Sequence, residues 1–182
     1  SKDLCMIEHL PEMIEAGIDS FKIEGRMKTA LYVATVARTY RNAIDDYKKG
    51  VDVYQSHLED YRREIAKCTY RQFTTGFYYT KPDANTQIYD NNTYIKEYTY
   101  LGMVQEVDEQ GWLVIEQKNK FSVGETIEAM LFDGENLELQ VVGIRDEKGQ
   151  DMESAPHPKQ ILHVNLSKAL PIGCILRRQE TT

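Results

Sequence analysis

The sequence predicts an α+β protein of two domains: an α-rich first part with the closing pattern of an α/β domain, then a small antiparallel β-barrel. Three observations lead there. The hydrophobic period is near 3.6 residues up to about position 67 and becomes two from position 98 onward. The two regimes are separated by a polar, aperiodic stretch, residues 80–92, that contains Lys81, Pro82, Asp83, Asn85, Asp90, Asn91 and Asn92. The length, 182 residues, allows a sizeable core but falls short of the roughly 250 residues of a complete (β/α)8 barrel, so any such barrel is present only as a fragment. The expected division is residues 1–80 for the α/β part, 81–97 for a linker and 98–182 for the β-barrel.

Each element has a local reason. Pro11 suits a first helical turn, and Gly17 supplies a left-handed stop after Glu12, Met13, Ile14, Glu15 and Ala16. Residues 18–24 alternate, with Phe21 and Ile23 on one face and Ser20, Lys22 and Glu24 on the other, and read as a strand ended by Gly25. From residue 28 to 49, Ala30, Val33, Val36, Ala37, Tyr40, Ile44 and Tyr47 recur at three- and four-residue intervals, and Lys48, Lys49 and Gly50 close a long helix. Leu58, Tyr61 and Ile65 form the stripe of a further helix over residues 55–67. Strands are expected at 98–107, 112–117, 125–132, 137–145 and 161–166, with Trp112 packing inward. Turn-rich segments separate them, and this spacing suits a small barrel.

Composition excludes several classes. Apolar residues make up 41% and charged residues 28%, with no apolar run near the roughly 18 residues that span a bilayer and no signal peptide, which predicts a cytoplasmic protein. Cys5, Cys68 and Cys174 lie too far apart to read as a disulfide framework or a self-contained zinc site. Residues 1–81 hold 13 Lys/Arg against 12 Asp/Glu, and residues 82–182 hold 9 against 17, so strong nucleic-acid binding by the second part alone is disfavoured. Twelve tyrosines point to contact surfaces. The chain opens on Ser in mid-pattern, which suggests either processing or a fragment of a longer protein, and the fragment is the expected case.

The chemistry concentrates in SFKIEGRMK, residues 20–28. If this strand belongs to a parallel α/β barrel, Phe21 and Ile23 face the helices and Lys22 and Glu24 point into the barrel, where an unpaired charge would cost several kcal/mol. Lys22 and Glu24 are therefore the candidate catalytic pair. Arg26 and Lys28, in the following loop, are the candidate substrate-binding residues, able to clamp a carboxylate or phosphate. The alternative is an exposed edge strand with solvated charges. Cys5, just before the first helix, is the candidate metal ligand, against the commoner role of a small buried apolar residue. His9, His57, His157 and His163 show no catalytic spacing, and no protease or nucleotide-binding motif occurs.

The stretch SKDLCMIEHLPEMIEAGIDSFKIEGRMKTALYVATVARTYRNAID, continued in YRQFTTGFYY, NKFSVGETIEAM and APHP, resembles the carboxyl-terminal part of the collagenase-like peptidase family, U32. The resemblance covers nearly the whole chain. It implies that residues 1–80 are the terminal βα elements of a TIM-like barrel, and that the β-barrel is similar to those of translation factors. It also implies RNA modification, in particular tRNA wobble-uridine hydroxylation with prephenate as co-substrate, an iron–sulfur cluster, tRNA as partner and a paralogous family subunit. The cluster's ligands would lie mostly outside this chain, with Cys5 the one candidate to carry over. Two alternatives stand beside it: proteolysis of the collagenase kind, and a non-catalytic protein-interaction module. The chain alone is expected to be inactive and to hold no cofactor, and neither DNA nor a membrane is an expected partner.

Overall fold

A computed structural model of the chain describes residues 2–81, 83 and 94–180, so most of the expected linker lies outside the described residues. The chain forms two compact units, Ser1–Glu97 and Tyr98–Thr182.

In the first unit, a short turn of 3-10 helix leads into α1 (Leu10–Glu15), with Pro11 in its first turn and Gly17 at φ +82° after its end. The long helix α2 (Ala30–Lys49) is capped by Thr29, whose hydroxyl accepts the Tyr32 N–H, and carries Lys48 and Lys49 in its last turn. Its buried face is rotated from the expected stripe. Leu31, Thr35, Val36, Thr39 and Ala43 are buried, whereas Val33 is 43% exposed. Threonine can be buried here because the Thr39 hydroxyl donates to the Thr35 carbonyl one turn back, at 2.7 Å.

The single helix expected over residues 55–67 is instead two, α3 (Val51–Ser56) and α4 (Leu58–Ala66), broken at His57. The Asp46 carboxylate bridges the break: His57 Nδ1 lies 3.0 Å away, and the Tyr61 hydroxyl donates to the same oxygen at 2.7 Å. Ile7, Leu10, Ala43, Tyr54, Tyr61 and Ile65 make the core, with Tyr40, Ile44 and Phe21 packed against it. The buried Tyr54 hydroxyl donates to the Ile7 carbonyl at 2.5 Å, tying α3 to the start of the chain. Tyr54→Phe should therefore cost about 1–2 kcal/mol in urea unfolding, because the Ile7 carbonyl loses its donor in a dry site. A cost below about 0.3 kcal/mol would show the bond to be idle.

The strand expected over residues 18–24 is absent; the segment runs as irregular chain with Ile18 and Ile23 more than a third exposed. Its alternation is suited to a sheet, but it meets no neighbouring strand among the described residues, and an unpaired strand has no ladder to hold it. The unit's sheet is instead a two-stranded parallel pair, β1 (Asp3–Leu4) with β2 (Phe73–Thr74), in the register Asp3 with Phe73 and Leu4 with Thr74. Neither strand was expected from the sequence.

The second unit is a closed six-stranded antiparallel β-barrel. Its strands are β3 (Tyr98–Val107), β4 (Leu113–Glu116), β5 (Thr126–Met130), β6 (Asn136–Arg145), β8 (Ile161–Leu166) and β9 (Ile175–Gln179), and the short β7 (Asp151–Met152) lies beside β6. Neighbours run β5, β9, β3, β4, β8, β6, and β6 returns to β5. The closure leaves none of the six with a free edge over its whole length. Leu101, Val104, Ile115, Ile127, Val141, Leu162 and Leu176 fill the interior. Trp112, expected inside, is not part of this core: Leu113 and Ile115 take the inward positions of β4, and the indole lies half-buried against Gly143 of β6.

Candidate functional site

The parallel pairing of β1 with β2 brings the first and last segments of the helical unit together. The backbone N–H of Asp3 donates to the Gln72 carbonyl and that of Cys5 to the Thr74 carbonyl, each at 3.0 Å. This places the Asp3 carboxylate, 12% exposed, beside Arg71. It accepts from the Arg71 backbone N–H at 2.9 Å and from the guanidinium at 2.9 and 3.1 Å, and Lys28 Nζ approaches to 3.5 Å. Two cations thus share one carboxylate. Burial pushes the Asp3 carboxyl up, but the Arg71 hydrogen bonds and the Lys28 and Arg71 charges outweigh it, and the group titrates below its ordinary value.

Aromatic rings frame the cations. Lys28 Nζ stands 4.9 Å from the Tyr32 ring centre and 5.3 Å from that of Tyr94, and the Arg71 guanidinium is 5.7 Å from Tyr94, which is 56% exposed. Tyr70 and Phe73, on either side of Arg71, stack at 4.4 Å. One carboxylate against two cations leaves a net charge of +1, flanked by an exposed ring. This combination suits an anionic group attached to a flat or apolar body.

Of the residues singled out from the sequence, the structure brings Lys28 into this cluster and sets Cys5 two residues along the chain from Asp3. Lys22, Glu24 and Arg26 are exposed, contrary to the expected inward orientation of Lys22 and Glu24, because the segment that carries them forms no strand in this chain. The Arg26 backbone N–H donates to Glu24 Oε1 at 3.1 Å, closing a local turn. Asp3, Tyr32, Arg71 and Tyr94 were not anticipated. Their one signal in the sequence is tyrosine next to a cation, as in Tyr70–Arg71, which composition alone could not localise.

Cys5 is packed against the start of the helical unit. Burial raises its thiol above the ordinary value, and its Sγ lies 3.8 Å from the Tyr40 hydroxyl, which also accepts the Met6 backbone N–H at 2.9 Å. Cys68 is buried, with its Sγ donating to the Ile65 carbonyl at 3.1 Å, and Cys174 lies in the barrel core. Among the described residues no three His, Cys, Asp or Glu side chains gather to hold a metal ion. An iron–sulfur cluster takes about four cysteine thiolates, and the donor set of this chain does not fit one.

Two models of one family match the sequence. Residues 1–88 match peptidase family U32, and residues 96–177 match the peptidase family U32 C-terminal domain. The chain belongs to peptidase family U32. It is 36% identical over 178 residues to tRNA hydroxylation protein P1 of Bacillus subtilis, a match covering 97% of this chain and 42% of that protein. It is 32% identical over 164 residues to tRNA hydroxylation protein P of Escherichia coli, covering 86% of this chain and 34% of the relative. A collagenase of Porphyromonas gingivalis is 38% identical over 77 residues, 42% of this chain and 21% of that protein. The chain therefore spans less than half the length of these relatives. No helix among the described residues is long and apolar enough to cross a membrane.

Proposed function

We propose that this chain is the carboxyl-terminal part of a U32 protein acting in RNA modification, of the tRNA hydroxylation kind for which its relatives are named. In this reading the helical unit supplies the last βα elements of a TIM-like barrel, and the β-barrel positions the substrate. The observation that carries it is the match to tRNA hydroxylation protein P1 over 97% of the chain, through both units at once. The cluster of Lys28, Arg71 and Tyr94 adds a chemical reason, since its excess positive charge beside an exposed ring suits an RNA phosphate or the carboxylates of a co-substrate such as prephenate. Arg26, with its planar fork in the loop beside Lys28, is proposed to join in holding the anion. Lys22 and Glu24 are proposed to face the reacting group once the rest of the barrel flanks their segment. An iron–sulfur cluster serving the reaction would rest mostly on residues outside this chain, with Cys5 the one candidate ligand within it.

The test is made in the full-length protein, by mass spectrometry of hydroxylated uridine in cellular tRNA together with melting temperature. Arg26→Ala should lower modification by about two orders of magnitude with little change in melting temperature, and Arg26→Lys should rescue poorly because a point charge cannot replace a two-pronged contact. Normal modification in Arg26→Ala would remove Arg26 from the site. A second reading, proteolysis, is favoured by the identity to the P. gingivalis collagenase. Cleavage of denatured collagen by the full-length protein, with tRNA left unmodified, would establish it in place of the first.

A further inference from the structure

The outside of the β-barrel carries a groove of about 480 Å³ that the reading above does not use. Trp112, Val123, Val142 and Met152 give it apolar walls, and Asp151 and Glu153 stand at its rim. Its shape begins with one glycine. A Cβ on Gly143 would sit 3.1 Å from Trp112 Cη2, so the missing side chain is what lets the indole lie down on β6. The Arg145 guanidinium then stacks 4.0 Å from the indole centre, held by Asp151 at 2.8 Å and Gln110 at 3.2 Å. Trp112 is clamped from two sides, yet Val142 and Val123 remain 53% and 41% exposed. A built apolar wall is left open to solvent.

Charge identifies what fits. Residues 98–180 hold 8 Lys/Arg against 14 Asp/Glu. Arg145, the cation at this place, is neutralised by Asp151, while Glu153 makes no ion pair among the described residues, and no cation lines the groove. A phosphate backbone would be repelled. An apolar side chain with a cation beside it would fill the wall and meet the rim charge. We propose that this groove binds a basic segment of a partner polypeptide, an extended stretch in which Lys or Arg alternates with aliphatic residues. This does not depend on the tRNA reading, since the groove belongs to the closed barrel.

Trp112 is the one tryptophan of the chain, so its emission reports directly on the groove. The 182-residue chain is titrated with acetyl-Lys-Leu-Arg-Leu-Lys-amide, with acetyl-Glu-Leu-Glu-Leu-Glu-amide and with oligouridylate, each up to about 5 mM, a range that detects weak binding. The basic peptide should shift the emission saturably, and added salt should weaken it. Glu153→Lys should weaken binding about tenfold at an unchanged melting temperature, since the side chain touches no ionic partner. Gly143→Ala, which pushes the indole off β6, should change the emission of the free protein and also weaken binding. An equal response to both peptides, no response to the basic one, unchanged affinity in Glu153→Lys, or an oligouridylate response matching that of the basic peptide overturns the proposal.

Discussion

Arg177→Ala should destabilise the β-barrel by about 3–5 kcal/mol. The arginine is fully buried, 0% exposed, although its place in β9 alternates with the core residue Leu176 and would ordinarily face water. Its guanidinium donates to Glu128 of β5, with Nε at 2.6 Å and Nη2 at 2.5 Å, and it lies 5.4 Å from the Tyr98 ring centre and 3.7 Å from Met130 Sδ. Glu128 is itself only 13% exposed. Removing the cation leaves the carboxylate facing an emptied apolar pocket, and both the lost partner and the cavity act in the same direction. The double change Arg177→Met, Glu128→Leu should cost much less, because neither charge is then stranded. Urea unfolding followed by far-ultraviolet circular dichroism measures both. A single-variant loss under about 1 kcal/mol would mean that water reaches the pair.

Asp3→Ala should cost the helical unit about 2–3 kcal/mol, because it strips three Arg71 hydrogen bonds and leaves two cations facing each other. The same residue sets an acid limb. Its folded pKa lies below the ordinary value of 3.8, so its contribution to stability is complete above that value and disappears as pH falls through the lower folded one. Asp3→Asn should flatten the fall in stability between about pH 5 and pH 2 while the other carboxylates with lowered values, such as Asp46 and Glu8, keep theirs. Urea unfolding across that range, wild type against variant, gives the difference directly. Parallel curves would assign the acid limb elsewhere.

The barrel was legible because alternation reports a half-buried strand without knowledge of its neighbours. Residues 161–166 alternate strictly between half-buried and buried, and the expected and observed strands coincide. β9 was missed for the opposite reason: Ile175, Leu176 and Arg177 are buried in succession, so no alternation is left to read, and two arginines disguise the strand. The break at His57 was equally hidden, since the stripe Leu58, Tyr61, Ile65 fits one helix or the second of two. In the candidate site, Lys28 stood out through its motif, while Asp3 and Arg71 did not, being 68 residues apart and joined only by the register of β1 with β2.

What the sequence alone determined is therefore local: the helix stripes and their stops, the period of the barrel strands, and the family motif around Lys22 to Lys28. Tertiary structure decided which of these patterns found partners. Residues 18–24 have the alternation of a strand but no neighbour to pair with among the described residues, Trp112 was turned outward by the absence of a side chain at Gly143, and Arg177 became buried because Glu128 stands opposite it in β5. Periodicity is encoded in consecutive residues. Pairing depends on which distant segments meet, and a buried charge is stable only where that meeting supplies its counter-ion.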